Sequence, residues 1–379
     1  MRKLLVPVLL LALVGLAFAG GKTEGAAAAA KAKIGLCFDV GGKGDKSFND
    51  SAFAGLVKLA KDYKGFIKDD PDKISFGTDV ELKHMSPKEG GQDREQIARV
   101  LAEEGYNPIF AVGFLYTDSV AKLAKEFPKT QWVLIDGFIA DLTATSNTTC
   151  LSFAEHEGSF LIGALVGLMV KDQKIGFLGG MDIPLIHKFE GGYIAGALYT
   201  NPALRDEKKL LAQYAGKDPT AFNDPKTGEA IAQAFYKQGA EIIYHASGGT
   251  GNGLFKAARD AKKYAIGVDS DQGYIYSTSV NAEEKDIGKW ILTSMLKRVD
   301  NAVYLTAKDF IDKGKVAGGY RTFGLANDGV GVAVNDFNRD KLQPYMAKLD
   351  EIKAKIIGGA ITVPDDDAKV KDWAAATFK

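Results

Sequence analysis

The sequence predicts an α/β protein of two doubly wound parallel-sheet lobes joined by a hinge, and three observations carry that expectation. Short runs rich in Val, Ile and Phe alternate with longer amphipathic stretches, the pattern of βαβ units feeding a parallel sheet. The alternation fills both halves of a chain of 379 residues, long enough for two packed domains. No low-complexity linker separates the halves, as expected of lobes that share a cleft and exchange segments.

Taken in order, the chain opens with Arg2 and Lys3, then an apolar stretch from Leu4 to Phe18, then Ala17-Phe18-Ala19 with small residues where a signal peptidase reads. Residues 1–19 are therefore expected to be a signal peptide cleaved near Ala19. As a helix the apolar stretch spans about 22 Å, short of the roughly 30 Å hydrocarbon core of a bilayer, which disfavours a permanent anchor. Residues 20–32 are small and Ala-rich, a tether before folded structure begins near Ile34.

In the first lobe, 33–155, the strand candidates are Lys33–Asp39, Val80–Met85, Pro108–Gly113, Trp132–Asp136 and Thr149–Phe153. Between them Asn49–Tyr63, Gln92–Glu104 and Asp118–Phe127 carry apolar residues three and four apart, as helices packed on a sheet must. Glu157–Val170 is apolar nearly all round and too short for a membrane span, so it reads as a buried helix opening the second lobe, 156–280. There the rhythm repeats: strand Lys174–Leu178, helix His187–Tyr199, strand Leu210–Tyr214, helix Gly228–Lys237, strand Glu241–His245, helix Leu254–Tyr264, strand Ala265–Asp269. Farther on, Lys285–Tyr304 is expected as a helix, Gly319–Leu325 and Gly331–Val334 as strands, and Lys341–Ile356 as a helix. Parts of 281–379 complete each lobe, and periodicity does not say which part joins which.

Composition narrows the function. With 46% hydrophobic and 25% charged residues the chain is neither disordered nor collagenous, and 2 cysteines exclude a disulfide scaffold. Cys37 and Cys150 fall in strand candidates, where buried free thiols are common; an oxidising compartment permits a bridge without requiring one. Lys plus Arg (48) offsets Asp plus Glu (48), and loss of Arg2 and Lys3 leaves a formal charge of −2, so no basic field exists to hold nucleic acid. His84, His156, His187 and His245 are scattered without ligand spacing, and no metal is expected.

Ligands of doubly wound sheets bind beyond the carboxyl ends of the strands, so the residues that follow each strand matter most. The first such loop runs Asp39-Val-Gly-Gly-Lys-Gly-Asp45-Lys-Ser47-Phe48-Asn49. Its glycines let a ligand approach the backbone, and Ser47 or Asn49 can cap the helix that follows. Phe48 is either a stacking platform at a cleft mouth or a hydrophobic staple. After the third strand, Thr117 or Asp118 can cap a helix, and the Asp118 carboxylate can also accept from ring N–H groups of a base. Phe189 lies early in a helix of the other lobe, and two phenylalanines from opposing lobes would sandwich a flat ligand.

The loop Ser247-Gly248-Gly249-Thr-Gly251-Asn-Gly253 opens a helix and is followed by Asp269 at the next strand end. It looks like a dinucleotide fingerprint, but counted from Gly249 the third glycine of G-x-G-x-x-G falls at Leu254, and an exported chain has poor access to nicotinamide pools. No cofactor is expected. The same geometry lets a strand-end carboxylate accept both hydroxyls of a ribose diol, with Asp269 the first choice and Asp271 the alternative.

Seven ordered blocks together resemble the basic membrane protein / purine-nucleoside receptor family of ABC-importer substrate-binding proteins: DVGGKGDKSFND (39–50), AVGFLYTDSV (111–120), FAEHEGSFLIGAL (153–165), IGFLGGMDIPLIHKFEGGYIAGA (175–197), HASGGTGNGLF (245–255), IGVDSDQ (266–272) and LTSMLKRVDNAVY (292–304). The resemblance implies the type I periplasmic binding protein fold. It also implies a receptor, not an enzyme, that closes two lobes on a purine nucleoside of the adenosine, guanosine or inosine class and hands it unchanged to a membrane permease. On that reading Phe48 and Phe189 stack on the base, Asp39, Asn49 and Asp118 read its edge, and Gly248, Asp269 and Lys297 hold the ribose. A monomer in the periplasm or on the outer face of the plasma membrane is expected.

Two features depart from the family. NAEEKD (281–286) looks like an insertion between Asp269 and Lys297, and Ala19-Gly20-Gly21 stands where members commonly carry a lipid-anchored cysteine. The competing readings are a receptor for another flat heterocycle such as riboflavin and an exported nucleoside hydrolase. The hydrolase chemistry commonly needs a calcium-binding carboxylate cluster, toward which the first loop offers only Asp39 and Asp45.

Overall fold

The computed structural model describes residues 31–378, so the expected signal peptide, its cleavage point and most of the tether lie outside the described residues. The strands are β1 (Ala32–Cys37), β2 (Phe66–Lys68), β3 (Val80–Met85), β4 (Ile109–Val112), β5 (Trp132–Ile135), β6 (Thr148–Phe153), β7 (Lys174–Met181), β8 (Leu210–Gly216), β9 (Ala240–Ala246), β10 (Tyr264–Asp269), β11 (Ile291–Lys297), β12 (Gly319–Phe323) and β13 (Val330–Val332). They form a seven-stranded sheet in the order β12-β6-β5-β4-β1-β3-β2 and a six-stranded sheet in the order β13-β11-β10-β9-β7-β8. Every pairing is parallel except β11 with β13.

Both faces of the first sheet are covered, which explains why its central strands read as continuous apolar runs. Phe110 and Val112 of β4 and Val133 and Ile135 of β5 join one core, while Ile109, Ala111, Trp132 and Leu134 join another on the opposite face. Cys37 and Cys150 are buried there as free thiols. The chain passes between the sheets after β6, again between β11 and β12, and a third time between β12 and β13.

The helices Glu155–Met169 and Pro184–Thr200 pack backbone to backbone. A methyl group at Gly163 would collide with the carbonyl oxygen of Tyr193, and one at Gly196 with that of Phe160. Close approach on glycine, with Leu and Val on the remaining faces, accounts for the all-round apolar character of the first helix. No helix among the described residues is long and apolar enough to cross a membrane.

The expected helix over Lys285–Tyr304 is corrected. A short helix ends at Gly288, β11 follows, and a separate helix spans Val299–Lys313. The spacing of Ile287, Ile291 and Met295 fits one face of a helix, but Ile291–Met295 are buried without interruption between β10 and β13, the environment of an interior strand. Lys297 is thereby placed at a strand end. The sequence reading has no counterpart of β2, three residues at a sheet edge where alternation is too short to register.

Candidate ligand-binding site

A cavity of about 630 Å³, its mouth included, opens where strands of both sheets end. Asp39 follows β1, Gly113 follows β4 and Asp136 follows β5, while Gly248 follows β9, and Asp269 and Lys297 close β10 and β11. Phe48 and Asn49 enter from the first turn of the helix Phe48–Asp62, and Phe189 from the Pro184–Thr200 helix. Seven of the eight residues expected at the site, Asp39, Phe48, Asn49, Phe189, Gly248, Asp269 and Lys297, thus share one lining. Asp118, exposed in the first turn of the helix Thr117–Glu126, is not part of it.

The centre is a buried lysine. Lys297 Nζ lies 2.5 Å from Asp136 Oδ2 and 3.0 Å from Glu155 Oε1, and 5.1 Å and 5.5 Å from the ring centres of Phe48 and Phe189. Two phenyl rings, each reached through a different sheet, therefore face the same ammonium group. Burial alone would lower the lysine's proton affinity, and the carboxylates of Asp136, Glu155 and Asp269 overcome it, holding Lys297 above its ordinary range. Burial also opposes ionisation of Glu155, but Lys297 and Lys188, the latter 3.3 Å away, overcome that cost. Asp136 has only Lys297 as a bonded cation, so burial prevails and its proton affinity is raised; its Oδ1 is buried without a partner.

Asp136 and Glu155 are not among the eight residues expected at the site. Asp136 carried a usable signal, since it ends a strand candidate as Asp269 does, and both adopt left-handed backbone, φ +63° and +64°. Glu155 carried none, because its role comes from contact with a residue far along the chain. Phe114 and Phe222 also line the cavity.

The first loop is ordered by a different residue than expected. Neither Ser47 nor Asn49 caps the helix; the Asp45 carboxylate accepts from the N–H groups of Ser47 at 2.8 Å, Asn49 at 2.9 Å and Asp50 at 3.1 Å. This frees the Ser47 hydroxyl, which donates to Asp269 Oδ2 at 2.5 Å. The Asn49 amide is spent within the loop, accepting from Asp39 N at 2.8 Å and donating to Asp45 Oδ2 at 3.0 Å and Val40 O at 3.2 Å. Gly113, at φ +104°, stands against the Asp39 carboxylate with no room for a methyl group between them. Thr117 likewise does not cap, since its hydroxyl donates to Phe114 O at 2.6 Å. Asp271 caps the helix Gln272–Thr278 and accepts from Asn335, outside the lining. Burial raises Asp39 and Asp269 to about 6 and Asp45 to about 7.

A family model describing PnrA-like ABC transporter substrate-binding proteins matches residues 31–367. The chain belongs to that family. Among PnrA-like relatives, it is 31% identical over 382 residues to the ABC transporter nucleoside-binding protein BmpA of Lactococcus lactis, covering 96% of this chain and 99% of the other. It is 33% identical over 343 residues to a CD4+ T-cell-stimulating antigen of Listeria monocytogenes, covering 88% of each chain. An ABC transporter solute-binding protein structure from Aeropyrum pernix K1 superposes with a TM-score of 0.73 at 25% identity, over 90% of this chain and 96% of that one. The PnrA-like chain therefore has the type I periplasmic binding protein architecture, as the resemblance implied.

Proposed function

We propose that the protein is the extracytoplasmic receptor of an ABC importer, binding one purine nucleoside between its lobes and delivering it to a membrane permease without chemical change. The observation that carries this reading is the pair of rings, Phe48 and Phe189, gathered around Lys297 in a cavity that also holds Asp269 and Gly248. Rings grip the faces of a planar base, which is worth about 1–3 kcal/mol per base, and a strand-end carboxylate grips a diol. Asp45 supports a receptor over a calcium-dependent hydrolase, because both its oxygens already serve backbone N–H groups.

The test is a thermal-shift screen of nucleosides, free bases, sugars and riboflavin on the full chain, with chromatography of products after incubation with inosine. Nucleosides are expected to raise Tm, with about 2.7 kcal/mol of stabilisation at a hundredfold excess over Kd. A shift with sugars or riboflavin alone, or release of hypoxanthine, would end the proposal.

Affinity should also depend on pH with a defined sign. A diol and a ring N–H both donate, so they need ionised acceptors, and Asp269 and Asp39 take up protons below about 6. Kd is expected to be constant from neutral to alkaline pH and to rise by about tenfold per unit below pH 6 for each carboxylate the ligand engages. An affinity that improves on acidification would contradict those roles.

A further inference from the structure

The loop between β1 and the helix Phe48–Asp62 follows a strand of the first sheet, yet one of its side chains bonds to the end of β10 in the second sheet and another to the helix Ala282–Gly288. Ser47 Oγ donates to Asp269 Oδ2 at 2.5 Å, and Ser270 Oγ donates back to the Ser47 carbonyl at 3.0 Å. Farther out, Lys46 Nζ donates to Glu284 Oε1 at 2.5 Å and lies 4.3 Å from the ring centre of Tyr276. Glu284 stands on the helix Ala282–Gly288, within the segment that reads as an insertion relative to the family.

We propose that Lys46 and Ser47 form a clasp that closes on the 269–284 segment and sets how long a bound ligand is held. The inference rests on the receptor reading above and adds the residues that keep the lobes shut. Three features fit a reversible catch. The loop is shaped in advance, since Asp50 accepts from Gly44 N at 2.7 Å and Lys46 N at 2.8 Å while Asp45 holds the helix start, so closure orders little backbone. The outer pair is neither buried nor free, with side chains 24% and 32% exposed, so water can take over both charges when it opens. Lys297 and its carboxylates, at 2%, 4% and 0%, offer no such exchange. Finally, the inner bond ends on Asp269, so a ligand that engages this carboxylate sits directly on the clasp.

The experiment uses Lys46→Glu, Glu284→Lys and the two combined, in the full chain, with dissociation of adenosine followed by stopped-flow displacement. Neither residue lines the cavity. Each single change is expected to speed dissociation about fivefold with association within about twofold, and the charge-swapped double variant to return near the parent rate. Single variants that release ligand at the parent rate, or a double variant in which the two effects simply add, would overturn the clasp while leaving the receptor intact. If the parent chain binds no nucleoside, the receptor reading falls instead. The clasp is then read by small-angle scattering of the ligand-free protein, where Lys46→Glu should enlarge the radius of gyration and the swap restore it; equal radii would overturn it.

Discussion

Replacing Lys297 with methionine should lower the free energy of unfolding by about 3–5 kcal/mol, because removing one partner of a buried ion pair leaves a charge in a medium that cannot solvate it. The two carboxylates will not suffer equally. Each carboxylate has one buried oxygen without a hydrogen-bond partner, but Glu155 keeps Lys188 at 3.3 Å, whereas Asp136 loses its bonded cation. Adding Asp136→Asn to the methionine variant is therefore expected to recover more stability than adding Glu155→Gln. Equilibrium urea unfolding of the three variants measures this directly. Equal recovery, or a single variant within about 1 kcal/mol of the parent, would mean that water reaches the cluster and that its charges are not confined to one another.

Asp269→Ala is expected to weaken nucleoside binding by at least about a hundredfold, since two hydroxyls would each lose a hydrogen bond to a charged acceptor. Removing the 2′-hydroxyl from the ligand should reproduce part of that loss in the parent protein and cost nothing further in the variant. Calorimetric titration of adenosine and 2′-deoxyadenosine against both proteins completes the cycle. A deoxy penalty of the same size in parent and variant would show that the diol is held elsewhere. The variant should still fold, because the substitution removes a buried carboxylate along with the Ser47 contact.

Most of the architecture was legible because it is written locally. β3 has the predicted ends, Val80 and Met85, and β5 and β6 differ from expectation by a single residue at one end. What local pattern does not encode is pairing over long separations. β12 lies beside β6 although roughly 170 residues separate them, and nothing in GYRTF names that neighbour. β11 shows the same limit from the other side, since an interior strand and a buried helix present nearly the same run of apolar residues. At the site, the strand-end rule finds Asp39, Gly248 and Asp269 and would have found Asp136. It does not find Glu155, which begins a helix and owes its position to packing. Ser47 shows a related limit: a cap is a local expectation, whereas its bond to Asp269 crosses the cleft.

The glycine contacts between the helices Glu155–Met169 and Pro184–Thr200 bear on how such a receptor can move. Side chains that interlock can rotate and let two helices slide, but a carbonyl oxygen resting on an α-carbon has no rotamer to change. Glu155 at the head of one helix and Lys188 and Phe189 near the head of the other are consequently fixed to one stiff bracket. Any opening of the molecule must carry that bracket whole and concentrate its bending outside it, at Ala154 before the first helix and in the two later passages between the sheets.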